Sequence, residues 1–585
     1  MANNINDNLK KSSTIQLTAF DNRAFKADEY ENPKAINSNG AHTVDNTNAM
    51  HFDDLLPYIG EFGRYQKILF LLMMPFSFFL AFVYSTQIFI TLVPEQHWCR
   101  IPELENLTVA ERLDLAIPTE NSKHSKCFMY DVNFTEAILN GTKSGDPLWP
   151  KKSCTYGWEF NHSVVPYTTI ASELEWVCDD SNKPVISQSI FFCGAICGAL
   201  IFGWIADRYG RIPAMIGSNV VAGLGGIATA FSNSFWMFTL CRFVVGFAFD
   251  NCFTVMYILA LEYVGPSKRT FVANMSIALY FTAGMCSMPL LALWINDWRL
   301  LAIATSLPML STVLVPWIIP ESARWLVSKG KIDQAIVILK KFERINKKDI
   351  KPQIYQDFRD TCQKVQEEEE SFKKYSVLDL FRTTRLRRNT ILLILIYMSI
   401  SLLFDGYVRN IESIGLDPFI GFGLASVTEL PASTLVTLIL DRWGRRWLGF
   451  GTMFLSGMCS VIAVFIPTGL ATTIVIISGR FFVNFSFNIG MQYAAELLPT
   501  VVRGQGVSFI HLTGYIATIV SPIIVHLGVV SPILPLLILG FCGITGGLLI
   551  LLLPETLGEQ LPQSLDDGEQ FGLNQKMCHF PCIGK

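Results

Sequence analysis

Gly203-Trp204-Ile205-Ala206-Asp207-Arg208-Tyr209-Gly210-Arg211 decides how this chain is read, because its second half returns as Asp441-Arg442-Trp443-Gly444-Arg445-Arg446. The two aspartates are 234 residues apart. Glu262-x6-Arg269 recurs as Glu496-x6-Arg503, and Pro320-Glu321-Ser322 as Pro554-Glu555-Thr556, each at the same 234. Arg242 has a counterpart in Arg480 at 238. Three features at one spacing mark an internal duplication whose two units run in the same direction.

Both copies of the turn join long apolar runs. Twelve runs have the ~20 residues that a bilayer-crossing helix needs to satisfy its own backbone. Six are early, at 68–93, 185–205, 212–232, 235–261, 271–294 and 299–319. Six are late, at 390–409, 418–440, 447–467, 471–493, 507–526 and 532–553. Composition agrees: of 585 residues 51% are hydrophobic and 16% charged, and mean hydropathy is +0.36. Soluble domains carry about 25% charged residues, so a soluble multidomain enzyme and a disordered chain are both excluded. A net charge of −3 leaves no footprint for nucleic acid. The expected fold is therefore an all-α membrane protein of twelve transmembrane helices in two parallel six-helix halves. Parallel halves around a midplane cavity are the architecture of major facilitator transporters.

The polar blocks set the expected organisation. Residues 1–67 form an N-terminal segment without an apolar leader region, so no cleavable signal peptide is expected and the first span acts as anchor. The first half is 68–319 and the second 390–553, with a helical linker at 320–389 and a tail at 554–585. The basic turns at 207–211 and 441–446, and a linker segment (321–389) with 17 Lys and Arg against 11 Asp and Glu, place both termini and the linker in the cytoplasm. The 94–184 loop, with 8 basic and 14 acidic residues, then lies outside. It holds four glycosylation sequons, at Asn106, Asn133, Asn140 and Asn161. It also holds Cys99, Cys127, Cys154 and Cys178, an even number in an oxidising compartment, which suggests two disulfides in any of three connectivities. The remaining cysteines read as small apolar fillers.

The repeated charges suggest gates. Asp207, Arg208 and Arg211 can pair with Glu262 and Arg269, and Asp441, Arg442 and Arg445 with Glu496 and Arg503. Such pairs would lock the inner face shut and break when it opens. The competing reading is that they anchor helix ends by snorkelling.

Four further stretches carry a family resemblance. They are Asp54-Leu-Leu-Pro-x-x-Gly-Glu-Phe-Gly-Arg-Tyr-Gln66, the four-cysteine loop ending Glu175-Trp-Val-Cys178, Pro320-Glu-Ser-Ala-Arg-Trp-Leu326, and Ala495-Glu-Leu-Leu-Pro-Thr-Val-Val-Arg503. Over residues 52–560 the chain resembles solute carrier family 22, the organic cation, zwitterion and anion transporters of the major facilitator superfamily. Sugar porters share the duplicated turns but lack the large first loop. The run Phe247-Ala-Phe-Asp-Asn-Cys-Phe253 is similar to invertebrate organic cation transporters, a group that includes carcinine transporters.

An ionisable group inside a span costs about 2.5–3.5 kcal/mol on insertion scales, so it faces a cavity or a partner. Asp250 in the fourth span and Glu429 in the eighth have no local basic partner. Asp405 and Arg409, at i and i+4 in the seventh, can neutralise each other. The balance reads as acidic, which attracts cations. Phe253 and Tyr257 follow Asp250 on one helical face, and Tyr397 and Phe404 repeat their seven-residue register in the seventh span. The resemblance implies that Phe253, Tyr397 and Phe404 are cage positions, where a ring face binds an amine cation; without it, such stripes are ordinary packing. Mammalian-type cation carriers place an Asp, and anion carriers an Arg, where this chain has Tyr515. His511 lies nearby and reads as packing or as a proton-sensitive group.

The sequence carries no nucleotide loop, dinucleotide fingerprint, metal cluster or nucleophile elbow, so it reads as no enzyme and as needing no cofactor or metal. The expected partners are a small organic cation, carcinine-like among others, and the lipid bilayer of the plasma membrane, with no nucleic acid or nucleotide. A monovalent cation gains ~2.3 kcal/mol per 100 mV moving inward, enough to drive uptake. The rival readings are an organic anion or zwitterion (carnitine-like) carrier anchored by Arg409, and a receptor or scaffold that keeps a transporter fold without turnover.

Overall fold

The computed structural model describes residues 52–120, 123–139, 141–142, 144–369, 375–410, 417–467, 469–573 and 575. Among these, twelve helices are long and apolar enough to cross a membrane. They are Arg64–Ile90, Cys178–Tyr209, Arg211–Thr229, Phe235–Tyr263, Phe271–Ile295, Trp298–Ile318, Thr384–Arg409, Pro418–Trp443, Arg445–Phe465, Leu470–Leu497, Arg503–Val529 and Ile533–Ile550. Each overlaps the stretch expected from hydropathy. The seventh begins six residues earlier than expected because its first turn is basic and polar, Thr384-Arg-Leu-Arg-Arg388.

Small residues set the spacing within each half. A Cβ on Gly194 or Gly198 would strike the backbone of Phe243 or Phe247 on the fourth span, and one on Gly246 would strike Phe191 on the second. In the second half Gly457 lies against the backbone of Gly540 and Gly543. Lipid tails are as apolar as the side chains, so close van der Waals contact of this kind drives helix pairing.

The duplicated turns are built alike. Gly210 has φ of 113° and Gly444 of 80°, the region where a side chain is strained. The third and ninth spans start directly after them with open backbone N–H groups. Glu321 accepts from the Arg211 and Ile212 amides at 2.8 and 3.1 Å. Glu555 accepts from Arg445 and Arg446 at 2.9 and 3.0 Å. The Pro-Glu-Ser/Thr motif thus caps the next helix with a negative charge at its positive end. Burial pushes the Glu321 carboxyl up, and its backbone N–H partners pull the other way.

The end of the bundle carrying residues 94–184 is called here the loop end, and the opposite one the turn end. The segment 94–184 is not purely helical. Its short strands pair antiparallel as His97–Cys99 with Trp158–Phe160, Thr119–Glu120 with Lys123–His124, and Phe128–Tyr130 with Lys151–Ser153. Disulfides join Cys99 to Cys154 and Cys127 to Cys178. They span 55 and 51 residues, which on the chain-entropy account is about 4 kcal/mol each. Tyr167 and Thr169 hydrogen-bond the Phe89 and Leu92 carbonyls at 3.2 and 2.8 Å, docking the segment on the first span. Of the sequons, Asn106 and Asn133 are exposed, and Asn161 is half-buried with its amide donating to Gln96 at 2.7 Å. Asn140 lies outside the described residues.

At the turn end the linker divides. Ile332–Asn346 docks on the first half, with Phe342 stacked on Tyr65 at 3.9 Å and edge-on to Tyr263 at 4.7 Å. Val377–Phe381 packs on the second half through Leu380 and through Phe381 against Phe509. The tail also belongs to the second half: Glu569 accepts from the Arg385 and Leu386 amides at 3.0 and 2.9 Å.

Candidate functional site

Asp250 and Glu429 sit at midcourse of the fourth and eighth spans, Phe235–Tyr263 and Pro418–Trp443. The helical backbone continues through each point, with φ −63° and ψ −38° at Asp250 and φ −62° and ψ −18° at Thr428. An ionisable group at that depth faces a cavity or a partner.

Asp250 bridges the halves. Its Oδ1 accepts the hydroxyl of Tyr515, on the eleventh span, at 2.6 Å. A chain of rings extends from this pair. Phe249 lies 6.4 Å from Tyr515 and 5.9 Å from Tyr84, His511 lies 5.1 Å from Tyr515 and 5.9 Å from Tyr397, and Phe487 lies 5.8 Å from Tyr397 and 5.0 Å from Phe404. Of the expected aromatics, Tyr397, Phe404 and Tyr515 join this chain. Phe253 and Tyr257 instead pack on each other at 5.5 Å within the turn-end core of the first half. Tyr84, Phe249 and Phe487 were not legible as site residues, because nothing distinguishes them among 43 Phe and 17 Tyr.

Of the two readings of Asp405, a substrate-facing group or the partner of Arg409, this conformation shows the second contact. Asp405 is 1% exposed, accepts the Tyr84 hydroxyl at 2.8 Å, and is held by Arg409 at 2.7 and 3.1 Å. Arg409 in turn lies over the Phe192 ring of the first half at 5.8 Å. Phe89 packs against Phe419 and Phe422 at 5.5 and 5.1 Å, and Ser189 donates to the Ile519 carbonyl at 2.8 Å. The loop end is thus closed across the halves by side chains.

The expected acidic balance also needs correction. Arg242 and Arg480, which mark the repeat, are 2% and 1% exposed inside the bundle. Arg480 donates to the Phe404 carbonyl at 2.5 Å, stacks on that ring at 3.8 Å, and lies in electrostatic reach of Glu429. Arg242 donates to Gln87 at 2.8 Å and lies over Phe191 at 5.1 Å. Away from the turn-end clusters, Asp250, Asp405 and Glu429 are therefore matched in number by Arg242, Arg409 and Arg480. Asp250 stands apart from the other two acids because, among the described residues, it forms no ion pair and is held by the Tyr515 hydroxyl. The regular placement of both arginines in the repeat was the signal that could have found them.

The turn-end clusters pair within their own halves. Arg211 reaches Asp207 at 2.9 Å and Glu262 at 3.3 Å, and Arg445 reaches Asp441 and Glu496 at 2.9 Å each. Arg269 pairs with Asp53 at 2.6 Å rather than with the turn, and Arg503 donates to the Leu498 carbonyl. Arg208 is exposed over Trp204 and Tyr209, and Arg442 is exposed on its turn. In this conformation these pairs staple each half instead of bridging the two. Among the described residues no group of His, Cys, Asp and Glu suits a metal ion.

Comparison with known proteins agrees with this architecture. The family described as "Sugar (and other) transporter" matches residues 150–564. The carcinine transporter of Drosophila melanogaster is 33% identical over 541 residues, covering 90% of this chain and 80% of that protein. Human solute carrier family 22 member 13 is 31% identical over 525 residues, covering 88% and 93%. The partially occluded inward-open xylose transporter XylE from E. coli shares the fold, with a TM-score of 0.52, 15% identity, and coverage of 86% of this chain and all of that one. The molecule is a multi-pass membrane transporter of the major facilitator superfamily, not an enzyme. It belongs to the sugar (and other) transporter family and, within it, to the solute carrier family 22 group.

Proposed function

We propose that this chain carries small organic cations, protonated amines above all, across the plasma membrane by alternating access. One observation carries the reading: Asp250, a carboxylate at midcourse of the fourth span, is held by the Tyr515 hydroxyl and bordered by rings, with no ion pair among the described residues. A ring face adds ~0.5–2 kcal/mol for an amine cation, and the carboxylate supplies the charge. Likeness to a carcinine transporter supports the same class. The anion and zwitterion reading loses its anchor, since Arg409 is committed to Asp405.

In the proposed orientation both termini and the linker are cytoplasmic, the 94–184 segment is extracellular and glycosylated, and the closed loop end faces outward. The turn-end clusters exchange partners when the inner face shuts. The test is uptake of a labelled primary amine into cells expressing the chain, with high external potassium as the depolarised control. Saturable uptake that falls on depolarisation and on Asp250→Asn supports the reading. Uptake of an organic anion in place of the amine overturns it.

A further inference from the structure

Tyr397 is 2% exposed, and its hydroxyl has no hydrogen-bond partner among the described residues. Buried hydroxyls are nearly always satisfied, by protein, water or ligand. Its ring lies against Gly514, the residue before Tyr515, where any Cβ would collide with ring carbons 2.8 and 3.0 Å away. Its opposite ring edge borders Gly490, and the His511 ring lies 5.9 Å away. The ring is thus fixed beside the Asp250–Tyr515 pair, with Asp250 in electrostatic reach of its hydroxyl. Asp250 spends Oδ1 on Tyr515, and among the described residues Oδ2 accepts no hydrogen bond.

The Asp250 Oδ2 and the Tyr397 hydroxyl are therefore two polar groups beside Tyr515 that have no hydrogen-bond partner among the described residues. A protonated primary or secondary amine offers at least two N–H donors and satisfies both. A quaternary ammonium offers charge and methyl groups but no donor, and would leave the Tyr397 oxygen without one. Sites built to hydrogen-bond a donor reject analogues lacking it far more strongly than apolar pockets discriminate size. We infer that the Tyr397 hydroxyl and Asp250 together make this carrier selective for N–H-bearing ammonium ions over quaternary ones. In this scheme Asp250 gives affinity for any cation, and Tyr397 gives the selectivity. The inference rests on the proposed cation reading and adds the substrate class within it.

The test compares uptake of phenethylamine with its N,N,N-trimethyl analogue, one carbon skeleton with and without donors, in cells expressing the full chain. Wild type is expected to show a KM about tenfold lower for the primary amine, the scale of one lost hydrogen bond to a charged group. Tyr397→Phe is expected to raise KM for the primary amine severalfold and leave the trimethyl compound unchanged. Both compounds are read on the same protein, so expression cancels from the ratio. Should Tyr397→Phe not reach the surface, competition on wild type decides: inhibition of amine uptake about tenfold weaker by the trimethyl analogue than by unlabelled amine supports the inference, and equal inhibition overturns it. Equal KM values in wild type, or equal shifts in Tyr397→Phe, overturn the selectivity while Asp250-dependent uptake keeps the cation reading. Uptake of both compounds that ignores Asp250→Asn overturns the two together.

Discussion

The Tyr84 hydroxyl on the first span donates to Asp405 on the seventh at 2.8 Å, joining the two halves at the loop end through one hydrogen bond to a buried charge. Such bonds are worth about 1.5–3 kcal/mol. Tyr84→Phe removes the cross-half bond and leaves the Asp405–Arg409 pair in place. It is expected to favour the form open at the loop end. A Ser189→Cys reporter, placed where Ser189 now meets Ile519, should then react severalfold faster with an impermeant maleimide than in the Tyr84 parent; equal rates would remove Tyr84 from the latch.

Asp405 and Asp250 should respond differently to the same substitution. Asp405→Asn leaves the Arg409 guanidinium buried without its counter-charge, a loss of about 3–5 kcal/mol for buried pairs. Thermal unfolding of purified protein should shift down by many degrees. Asp250→Asn breaks no ion pair and should leave the melting temperature near wild type while abolishing amine uptake. A reversal of the two outcomes would exchange their assigned roles.

Glu321 and Glu555 perform one task in separate halves. Each Glu→Gln change removes a charged cap from a helix start, for which about 1–2 kcal/mol is the expected loss. The two sites share no partner, so their effects should add in the double variant. Non-additivity in thermal melts would mean that the clusters communicate across the halves in this state.

Glycan occupancy should follow exposure. Asn106→Gln and Asn133→Gln are each expected to remove one step of electrophoretic mobility shift that N-glycosidase also removes. Asn161→Gln should change little, because its amide nitrogen already serves Gln96. A full step at Asn161 would require the loop to open there during synthesis.

The sequence made the span count legible because a helix in lipid leaves no choice of backbone partner, and hydropathy then marks its apolar length, though not a polar first turn such as Thr384–Arg388. The duplication was legible through charges at fixed spacing. The pairing of those charges was not, since spacing cannot say that Arg269 turns to Asp53. Asp250 and Tyr515 were each noticed, one as an unpartnered acid and the other as a departure from the family pattern. That they meet depends on two helices from different halves, 265 residues apart in the chain, and no local pattern encodes it. The rings around them were hidden by abundance, and the short strands of the loop by their length of two or three residues.

The division of the linker has a mechanical consequence. Phe342 is wedged between Tyr65 and Tyr263, whereas Leu380 and Glu569 are fastened to the other unit. Each half thus carries its own ballast. A covalent mark on Ile332–Asn346 loads one half alone, and trimming the tail unloads only the other.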